Sequence, residues 1–225
     1  MAHTPRPTYC VNGLDAQFNA DYVREEVKSY KKDGLGERAK RVLEFLCRQG
    51  LTGRSVLDVG CGIGALHLEI LKAGAASAVG IDASSASIEA ARKLAEEMGL
   101  ADRAEYRLGD FTAIEMEIAA ASVVVLDRVI CCYPNMEALV GGAARHAQAF
   151  CGLTYPRRGW WMRAILWSGN LCQALFRSPY RGYYHDPRKV AALLATYGFT
   201  EVYRETASMW EVAVFKKEAV PSGPR

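Results

Sequence analysis

Long apolar runs are missing from this 225-residue chain, although half of its residues are hydrophobic. A helix that crosses a bilayer needs roughly 20 consecutive apolar residues, so the sequence predicts no transmembrane segment. Residues 1–7 also lack the apolar core of a secretory signal. We therefore expect a cytoplasmic protein whose hydrophobic residues fill one well-covered core.

Regular cysteine spacing and strong charge are missing too. The seven cysteines include no Cys-x-x-Cys pair, whereas zinc sites and disulfide scaffolds use repeated spacings. We therefore expect no bound metal. The net charge of +3 is too small for a dedicated nucleic-acid binder, and we expect no nucleic-acid partner.

Three alternating glycines follow a short apolar segment and an acid in residues 56–64, VLDVGCGIG. Glycine has no Cβ, so backbone amides at Gly60, Gly62 and Gly64 can approach a ligand closely while the chain turns into a helix. A second acid, Asp82, follows about 20 residues later, as a ribose ligand would. The pattern predicts a loop that binds a nucleotide cofactor.

The same glycines satisfy the dinucleotide pattern G-x-G-x-x-G/A, which keeps an NAD-linked reductase open as an alternative. Three features favour another cofactor. Asp58 stands where nicotinamide-binding loops usually carry an apolar residue, and Asp110 ends a third predicted strand. The chain also has no Tyr-x-x-x-Lys pair of the short-chain dehydrogenase kind.

With these acids, the glycine-rich stretch resembles the cofactor loop of the class I S-adenosylmethionine (SAM)-dependent methyltransferases. Residues 126–134, LDRVICCYP, are similar to the segment after strand four of magnesium-protoporphyrin O-methyltransferases, which also ends in Tyr-Pro. The resemblance covers roughly residues 18–217. It implies an enzyme that binds SAM and releases S-adenosylhomocysteine.

The resemblance assigns a role to each acid. Asp58 would hold local positive charge, Asp82 would accept hydrogen bonds from the ribose hydroxyls, and Asp110 would take the adenine amino group. Each acid taken alone could instead cap the helix that follows. The expected cofactor-binding residues are Tyr30, Asp58, Gly60, Gly62, Gly64, Asp82, Ala83, Asp110, Phe111, Leu126 and Asp127.

Strand-like and helix-like segments alternate along the chain from residue 56. This alternation predicts an α/β fold with a doubly wound, mostly parallel seven-stranded sheet of the Rossmann-like type. Two helices, over residues 15–32 and around residues 39–47, are expected before the first strand. The predicted strands are 56–59, 78–81, 104–108, 122–126, 150–155, 199–206 and 209–216.

The expected organisation is a helical cap over the cofactor followed by one catalytic domain. Residues 1–50 form the cap, with residues 1–8 as a disordered arm. Residues 51–217 form the methyltransferase domain, and residues 218–225 a disordered tail.

Residues 155–184 are a predicted helical insertion after strand five, rich in aromatic side chains and arginine. Aromatic rings offer flat apolar faces, and guanidinium groups bind carboxylates in bidentate fashion. This predicts a lid over the substrate with Trp160, Trp161, Arg163 and Tyr184 in contact with it. Two alternatives stay open: a helix packed on the sheet with a solvated basic face, and a helix at a membrane surface.

The expected reaction is O-methylation of a small aromatic or hydrophobic acceptor, with a carboxylate-bearing acceptor included. A hydroxyl acceptor would need a base, for which His185 and Tyr133 are the candidates, whereas a carboxylate would need none. The alternatives are a non-catalytic SAM-binding scaffold and a nucleic-acid methyltransferase. The Asn/Asp-Pro-Pro-Tyr motif of nucleic-acid methyltransferases is absent from this sequence. Monomer and homodimer are both compatible with the sequence.

Overall fold

A computed structural model of the chain describes residues 8–218, so most of the predicted arm and tail lies outside the described residues. The strands are β1 (Ser55–Val59), β2 (Ser77–Asp82), β3 (Ala104–Leu108), β4 (Ala121–Asp127), β5 (Ala147–Pro156), β6 (Phe199–Ala207) and β7 (Trp210–Lys217). The helices are α1 (Thr8–Gln17), α2 (Ala20–Asp33), α3 (Glu37–Arg48), α4 (Ala65–Lys72), α5 (Ser85–Glu97), α6 (Phe111–Ile114), α7 (Met136–His146), α8 (Trp160–Leu175) and α9 (Pro187–Thr196).

The seven strands form one sheet in the order β3-β2-β1-β4-β5-β7-β6. Strands β1 to β5 pair in parallel, and β7 runs antiparallel to both of its neighbours. The predicted doubly wound, mostly parallel α/β fold is therefore confirmed. The strand order reverses between β1 and β4, and ligands of open α/β sheets bind at the carboxyl ends of the strands beside such a point.

Helices cover both faces of the sheet. One hydrophobic cluster joins helices α2 to α5 to the sheet, and the other joins α7 and α9 to the opposite face. The central strand β4 has consecutive buried residues, Val123 to Leu126. Such a run is what a parallel strand covered on both faces requires.

The N-terminal region has three helices where two were predicted. Asn19 interrupts the helical pattern expected over residues 15–32. Its side chain accepts hydrogen bonds from the amides of Asp21 and Tyr22, which makes it the N-cap of α2. The residues on both sides of Asn19 are compatible with a helix, so hydrophobic periodicity alone did not indicate this break.

The insertion is helical only from Trp160 to Leu175. Residues 176–186 then run without regular secondary structure, and the Asn170 side chain ties this segment back to α8. The Asn170 amide donates to the Gly182 carbonyl at 2.8 Å and accepts from its N–H at 2.7 Å. Within residues 8–218, none of the helices combines the length and apolar character needed to span a bilayer.

Candidate cofactor and substrate site

Two adjoining cavities lie at the carboxyl ends of the strands around the point where the strand order reverses. The first cavity, of about 290 Å³, is lined by the ends of β1 and β2 and by the turns after β3 and β4. The second cavity, of about 470 Å³, lies between the glycine loop and helices α2 and α3. The two cavities share the lining residues Tyr22, Glu26, Gly60, Gly62, Asp127 and Arg128.

The glycine loop is fixed against β2. The amides of Gly60 and Cys61 both donate to the Ile81 carbonyl, at 2.7 and 3.0 Å. Gly60 has φ +68°, and a Cβ at this position would overlap Cγ2 of Val129. Both the backbone conformation and the packing therefore require glycine at position 60.

Asp82 lines the first cavity and is oriented by two backbone amides. Its two carboxylate oxygens accept hydrogen bonds from Gly62 N and Ser84 N, each at 2.8 Å. Burial raises the pKa of Asp82 to about 6, against the opposing effect of these two hydrogen bonds. A carboxylate oxygen can accept more than one hydrogen bond, so Asp82 can still receive a ligand hydroxyl.

Asp110 also lines the first cavity, together with Ala83 and the buried ring of Phe111. It caps α6 by accepting from Thr112 N at 3.0 Å. The Tyr133 hydroxyl donates to its other carboxylate oxygen at 2.9 Å. The sequence predicts that Asp110 binds the cofactor and that Tyr133 is a catalytic residue, and the structure brings their side chains into direct contact.

Asp58 is buried beneath the glycine loop, at the wall of the second cavity. Its Oδ2 lies 2.8 Å from Nδ1 of His67, and the other ring nitrogen of His67 lies 3.0 Å from the Tyr106 hydroxyl. Burial raises the pKa of Asp58, and the contact with His67 opposes this rise. His67 was missed in the sequence, where its position between Leu66 and Leu68 was the only signal.

Asp127 lines both cavities and is held by Arg38, another residue that the sequence argument missed. The guanidinium binds the carboxylate in bidentate fashion, with distances of 2.9 and 3.0 Å. The Thr154 hydroxyl donates to the same carboxylate at 2.6 Å. The adjacent Leu126, which the sequence predicts to contact the cofactor, lies outside both cavity linings. Side chains alternate along β4, so Leu126 points into the core and is fully buried.

Helix α2 covers the glycine loop, as the predicted cap would. Glu26 pairs with Arg128 at 2.5 Å and accepts from the Tyr22 hydroxyl at 3.0 Å. Tyr30 lies at the edge of the second cavity, but its hydroxyl donates to Glu69 on α4 at 2.6 Å. The polar end of Tyr30 is therefore engaged within the protein, and the charges that α2 and the turn after β4 bring to both cavities are those of Glu26 and Arg128.

The predicted substrate residues lie elsewhere. Trp160, Trp161, Arg163 and Tyr184 are absent from the residues that line the two cavities described above. Helix α8 turns Met162 inward and leaves Trp160 82% exposed. The aromatic walls of the first cavity come from the N-terminal region, the segment after α8 and the start of β7, as Phe18, Tyr22, Tyr180 and Trp210.

His185, the other candidate base, also lies outside the lining of both cavities. Its Nε2 is 2.8 Å from the carbonyl oxygen of Tyr133. A carbonyl only accepts, so Nε2 carries a proton and donates it in this contact. The geometry gives His185 the role of holding the turn that contains Tyr133.

Two adjacent thiols line the first cavity. The Sγ atoms of Cys131 and Cys132 are 3.8 Å apart, and each lies 3.4 Å from the carbonyl oxygen of Arg128. The Tyr180 hydroxyl is 3.3 Å from Sγ of Cys132. The hydrogen bond from Cys131 lowers the pKa of the Cys132 thiol, an effect that its burial opposes.

Comparison with known proteins agrees with this geometry. Residues 56–149 match the model of the family described as "Methyltransferase domain". Over 83 residues the chain is 45% identical to ribosomal protein L11 methyltransferase of Escherichia coli (strain 55989 / EAEC), a match that covers 37% of this chain. It covers 27% of that protein, so the chain spans about a quarter of the length of the curated relatives it matches.

Solved structures share the fold over much more of the chain. Magnesium protoporphyrin IX methyltransferase from Synechocystis PCC 6803, with bound SAH, superposes with a TM-score of 0.73 at 18% identity. That superposition covers 91% of this chain and 98% of the other. An O-methyltransferase family protein from Burkholderia thailandensis superposes with a TM-score of 0.66 at 16% identity, covering 84% of this chain and 58% of the other.

The fold, the glycine loop and the acids at the strand ends define a class I methyltransferase fold. Residues 56–149 match a methyltransferase domain in sequence, and they are set in a fold that solved methyltransferase structures share.

Proposed function

We propose that this chain transfers the methyl group of SAM to a carboxylate oxygen of a small, flat, hydrophobic acceptor. The observation that carries the proposal is the meeting of Asp58, Asp82 and Asp110, from the ends of three strands, around one glycine loop and two joined cavities. SAM supplies an electrophilic methyl group on a sulfonium that leaves readily. The protein then has to bind SAM and the acceptor, orient them for the transfer and exclude water.

The first cavity fits the adenosine part of SAM. Asp82 presents an acceptor whose direction is set by Gly62 N and Ser84 N, which suits a ribose diol. Asp110 and the Phe111 ring lie beyond it and suit an adenine amino group and ring face. The predicted roles of these residues remain proposals, and their arrangement in one cavity supports them.

The second cavity fits the methionyl part, which has both an ammonium and a carboxylate. Its lining includes acids, Asp58 and Asp127, and the cations Arg38 and Arg128. An ammonium needs hydrogen-bond acceptors and a carboxylate needs donors, and these acids and cations supply both. We assign the ammonium to Asp58 and Asp127, and the carboxylate to Arg38.

The remaining wall of the first cavity is apolar and aromatic, which suits a flat hydrophobic acceptor. Phe18, Tyr180 and Trp210 offer ring surface there, and Val129 adds aliphatic surface. The names of the structural neighbours, a porphyrin methyltransferase and an O-methyltransferase family protein, agree with an acceptor of this kind. The match to ribosomal protein L11 methyltransferase carries no argument about the acceptor, because it covers only 27% of that protein.

A carboxylate acceptor is favoured because the acids that line the first cavity already bind donors of the protein itself. Among the described lining residues, Asp82, Asp110 and Asp127 each accept hydrogen bonds from the protein itself. The Tyr133 hydroxyl donates to Asp110. A hydroxyl acceptor would need its proton removed, whereas a carboxylate is already ionised at neutral pH.

The test uses SAM with a labelled methyl group and a panel of aromatic carboxylic acids, tetrapyrrole acids included. Each acid is paired with its primary amide and with a phenol of the same ring size. We expect transfer to the acids alone, giving esters that release labelled methanol in alkali. Transfer to phenols, giving alkali-stable ethers, would contradict the carboxylate assignment. S-adenosylhomocysteine binding without transfer to any small molecule, peptide or nucleic acid would favour the scaffold alternative.

A further inference from the structure

Helix α8 presents large apolar side chains to solvent. Met162 is its one buried residue among those described. Trp160 and Trp167 are 82% and 69% exposed, and Leu171 and Leu175 are 47% and 73% exposed. Exposed apolar patches of this size in soluble domains mark interaction surfaces.

Four of the five exposed large apolar residues of α8 form one stripe along the helix, and Ile165 lies outside it. Their spacings of seven, four and four residues place Trp160, Trp167, Leu171 and Leu175 on a single face. The helix is anchored elsewhere on its surface, because Met162 is buried on the opposite face and Asn170 binds Gly182 through both groups of its amide. The stripe is therefore a fixed outer surface of the domain.

Helix α8 itself carries basic and no acidic side chains, and Glu211 on β7 lies beside its N-terminal end, where it accepts from Arg158 N at 3.1 Å. No aspartate or glutamate occurs between Glu137 and Asp186. Arginine stands before the helix as Arg157 and Arg158, within it as Arg163, and after it as Arg177, and all four are exposed. Within residues 8–218, the ion pairs include none of these four arginines.

We propose that the outer face of α8 binds the surface of an anionic lipid bilayer. An amphipathic helix with tryptophan and leucine on one face and arginine at its borders lies in the plane of the interface. Tryptophan is favoured at the depth of the lipid headgroups, because its ring is largely apolar and its N–H can donate a hydrogen bond there. The arginine side chains reach lipid phosphates while their stems cover apolar surface.

Charge complementarity selects this occupant over a second copy of the chain. Two copies joined through α8 would bring the same arginines together with no acid on either helix to offset them. An anionic bilayer supplies the opposite charge along the whole helix. The 16-residue helix is too short to cross a bilayer, so it can lie only on the surface.

Vesicle flotation of the full chain tests the proposal, with vesicles of phosphatidylcholine alone and of phosphatidylcholine mixed with phosphatidylglycerol. Three of the four tryptophans lie on α8, so a blue shift of their fluorescence reports burial of this face directly. We expect binding to the mixed vesicles only, with a blue shift, and a loss of binding at high salt.

Two variants separate the apolar and the charge contributions. Trp160→Ser/Trp167→Ser is expected to abolish flotation, and Met116→Ser, at a site 91% exposed on another element, is its control. Arg157→Gln/Arg163→Gln/Arg177→Gln should weaken binding by about fivefold per arginine. Lys28→Gln/Lys40→Gln/Lys93→Gln removes the same charge from exposed positions on α2, α3 and α5 and should weaken it far less.

Methyl transfer plays no part in this readout, so the proposal fails or holds independently of the proposed function. Three results would overturn it. The first is equal binding to both kinds of vesicle, and the second is full binding by the Trp160→Ser/Trp167→Ser variant. The third is a wild-type chain that binds no vesicles and forms a dimer, together with a Trp160→Ser/Trp167→Ser variant that is monomeric. The third would show that a second copy covers the stripe.

Discussion

Asp58 and His67 form a buried pair beneath the cofactor loop, with 2.8 Å between Oδ2 and Nδ1. Both side chains are almost wholly excluded from solvent, and the Tyr106 hydroxyl completes the chain of contacts at 3.0 Å from the other ring nitrogen. The carboxylate at the wall of the second cavity is therefore supported from below by a hydrogen-bond network that the fold itself encloses.

Removing His67 should leave the Asp58 carboxylate buried without its partner. We expect His67→Phe to lower the free energy of unfolding by about 3–5 kcal/mol, since breaking a buried ionic or hydrogen-bonded pair from one side costs this much. Urea unfolding measures it. The control is His146→Phe, because the hydrogen bonds of His146 go to backbone carbonyls and to no acid, and their loss should cost about 1–3 kcal/mol. Similar losses for both variants would refute a special role for the Asp58 contact.

Asp82 should dominate cofactor affinity. We expect Asp82→Asn to weaken S-adenosylhomocysteine binding by at least tenfold in calorimetry, because a charge-assisted hydrogen bond contributes about 1.5–3 kcal/mol. The matched control is Asp186→Asn, since Asp186 also accepts a backbone N–H at a helix start, at 2.9 Å from Arg188 N, and lies outside both cavity linings. Unchanged affinity in Asp82→Asn would remove Asp82 from the site.

Affinity should also fall in mild acid. Burial raises the pKa of Asp82 to about 6, so the ionised form that accepts hydrogen bonds best is lost as the pH falls through 6. We expect S-adenosylhomocysteine binding to weaken about tenfold between pH 7.5 and pH 5, since one pH unit below the pKa leaves about a tenth of the group ionised. The profile of Asp82→Asn should be flat over this range. A wild-type profile as flat as that of the variant would disprove the linkage.

Gly60 should tolerate no side chain. In Gly60→Ala the new Cβ would overlap Cγ2 of Val129, in addition to the cost of φ +68°. We expect a loss of about 2–5 kcal/mol in unfolding free energy, together with loss of S-adenosylhomocysteine binding. The control Gly53→Ala has φ +75° with open space around its Cβ, so it carries only the backbone cost of about 1–2 kcal/mol.

A second substitution identifies the cause in Gly60→Ala. Val129→Ala removes the two methyl groups nearest the new Cβ, so the double variant should recover the packing part of the loss. If it recovers nothing, the defect lies in the backbone conformation alone.

Tyr133 should position Asp110 and should not act as a base. We expect Tyr133→Phe to raise the KM for SAM by about tenfold with kcat nearly unchanged, because it removes the hydroxyl that donates to Asp110. A general base would instead lose 10²- to 10⁴-fold in kcat and change the pH dependence of the rate. Steady-state kinetics over pH separates these outcomes.

The sequence predicted the sheet well because its signals are local. The central parallel strands β1 and β4 are short apolar runs, and the turn at Gly60 needs residues that a reader can recognise directly. The split at Asn19 was missed because a cap inside a helix-compatible stretch resembles an ordinary polar position. A motif also locates only a strand end, whereas side-chain alternation decides which residues of that strand, such as Leu126, face the core.

Contacts between distant segments could not be read from the sequence. Arg38 meets Asp127 across 89 positions, and Glu26 meets Arg128 across 102. The insertion shows the same limit. Its aromatic composition predicts a binding surface, and the structure places Tyr180 of this insertion in the first cavity, whereas Trp160 is exposed and outside both cavity linings. Trp210, at the start of β7, lines the same cavity and was not singled out in the sequence.

Arg128 adopts φ +63°, a left-handed conformation that costs a residue with a side chain about 1–2 kcal/mol relative to glycine. Glycine at this position would remove this conformational cost, but it would also remove the guanidinium that joins the turn after β4 to Glu26 on α2. Glu26 would be left without the guanidinium that it binds, so the backbone strain and the ion pair act on stability in opposite directions. The residue that strains the turn after β4 is thus the same residue that holds this turn to α2.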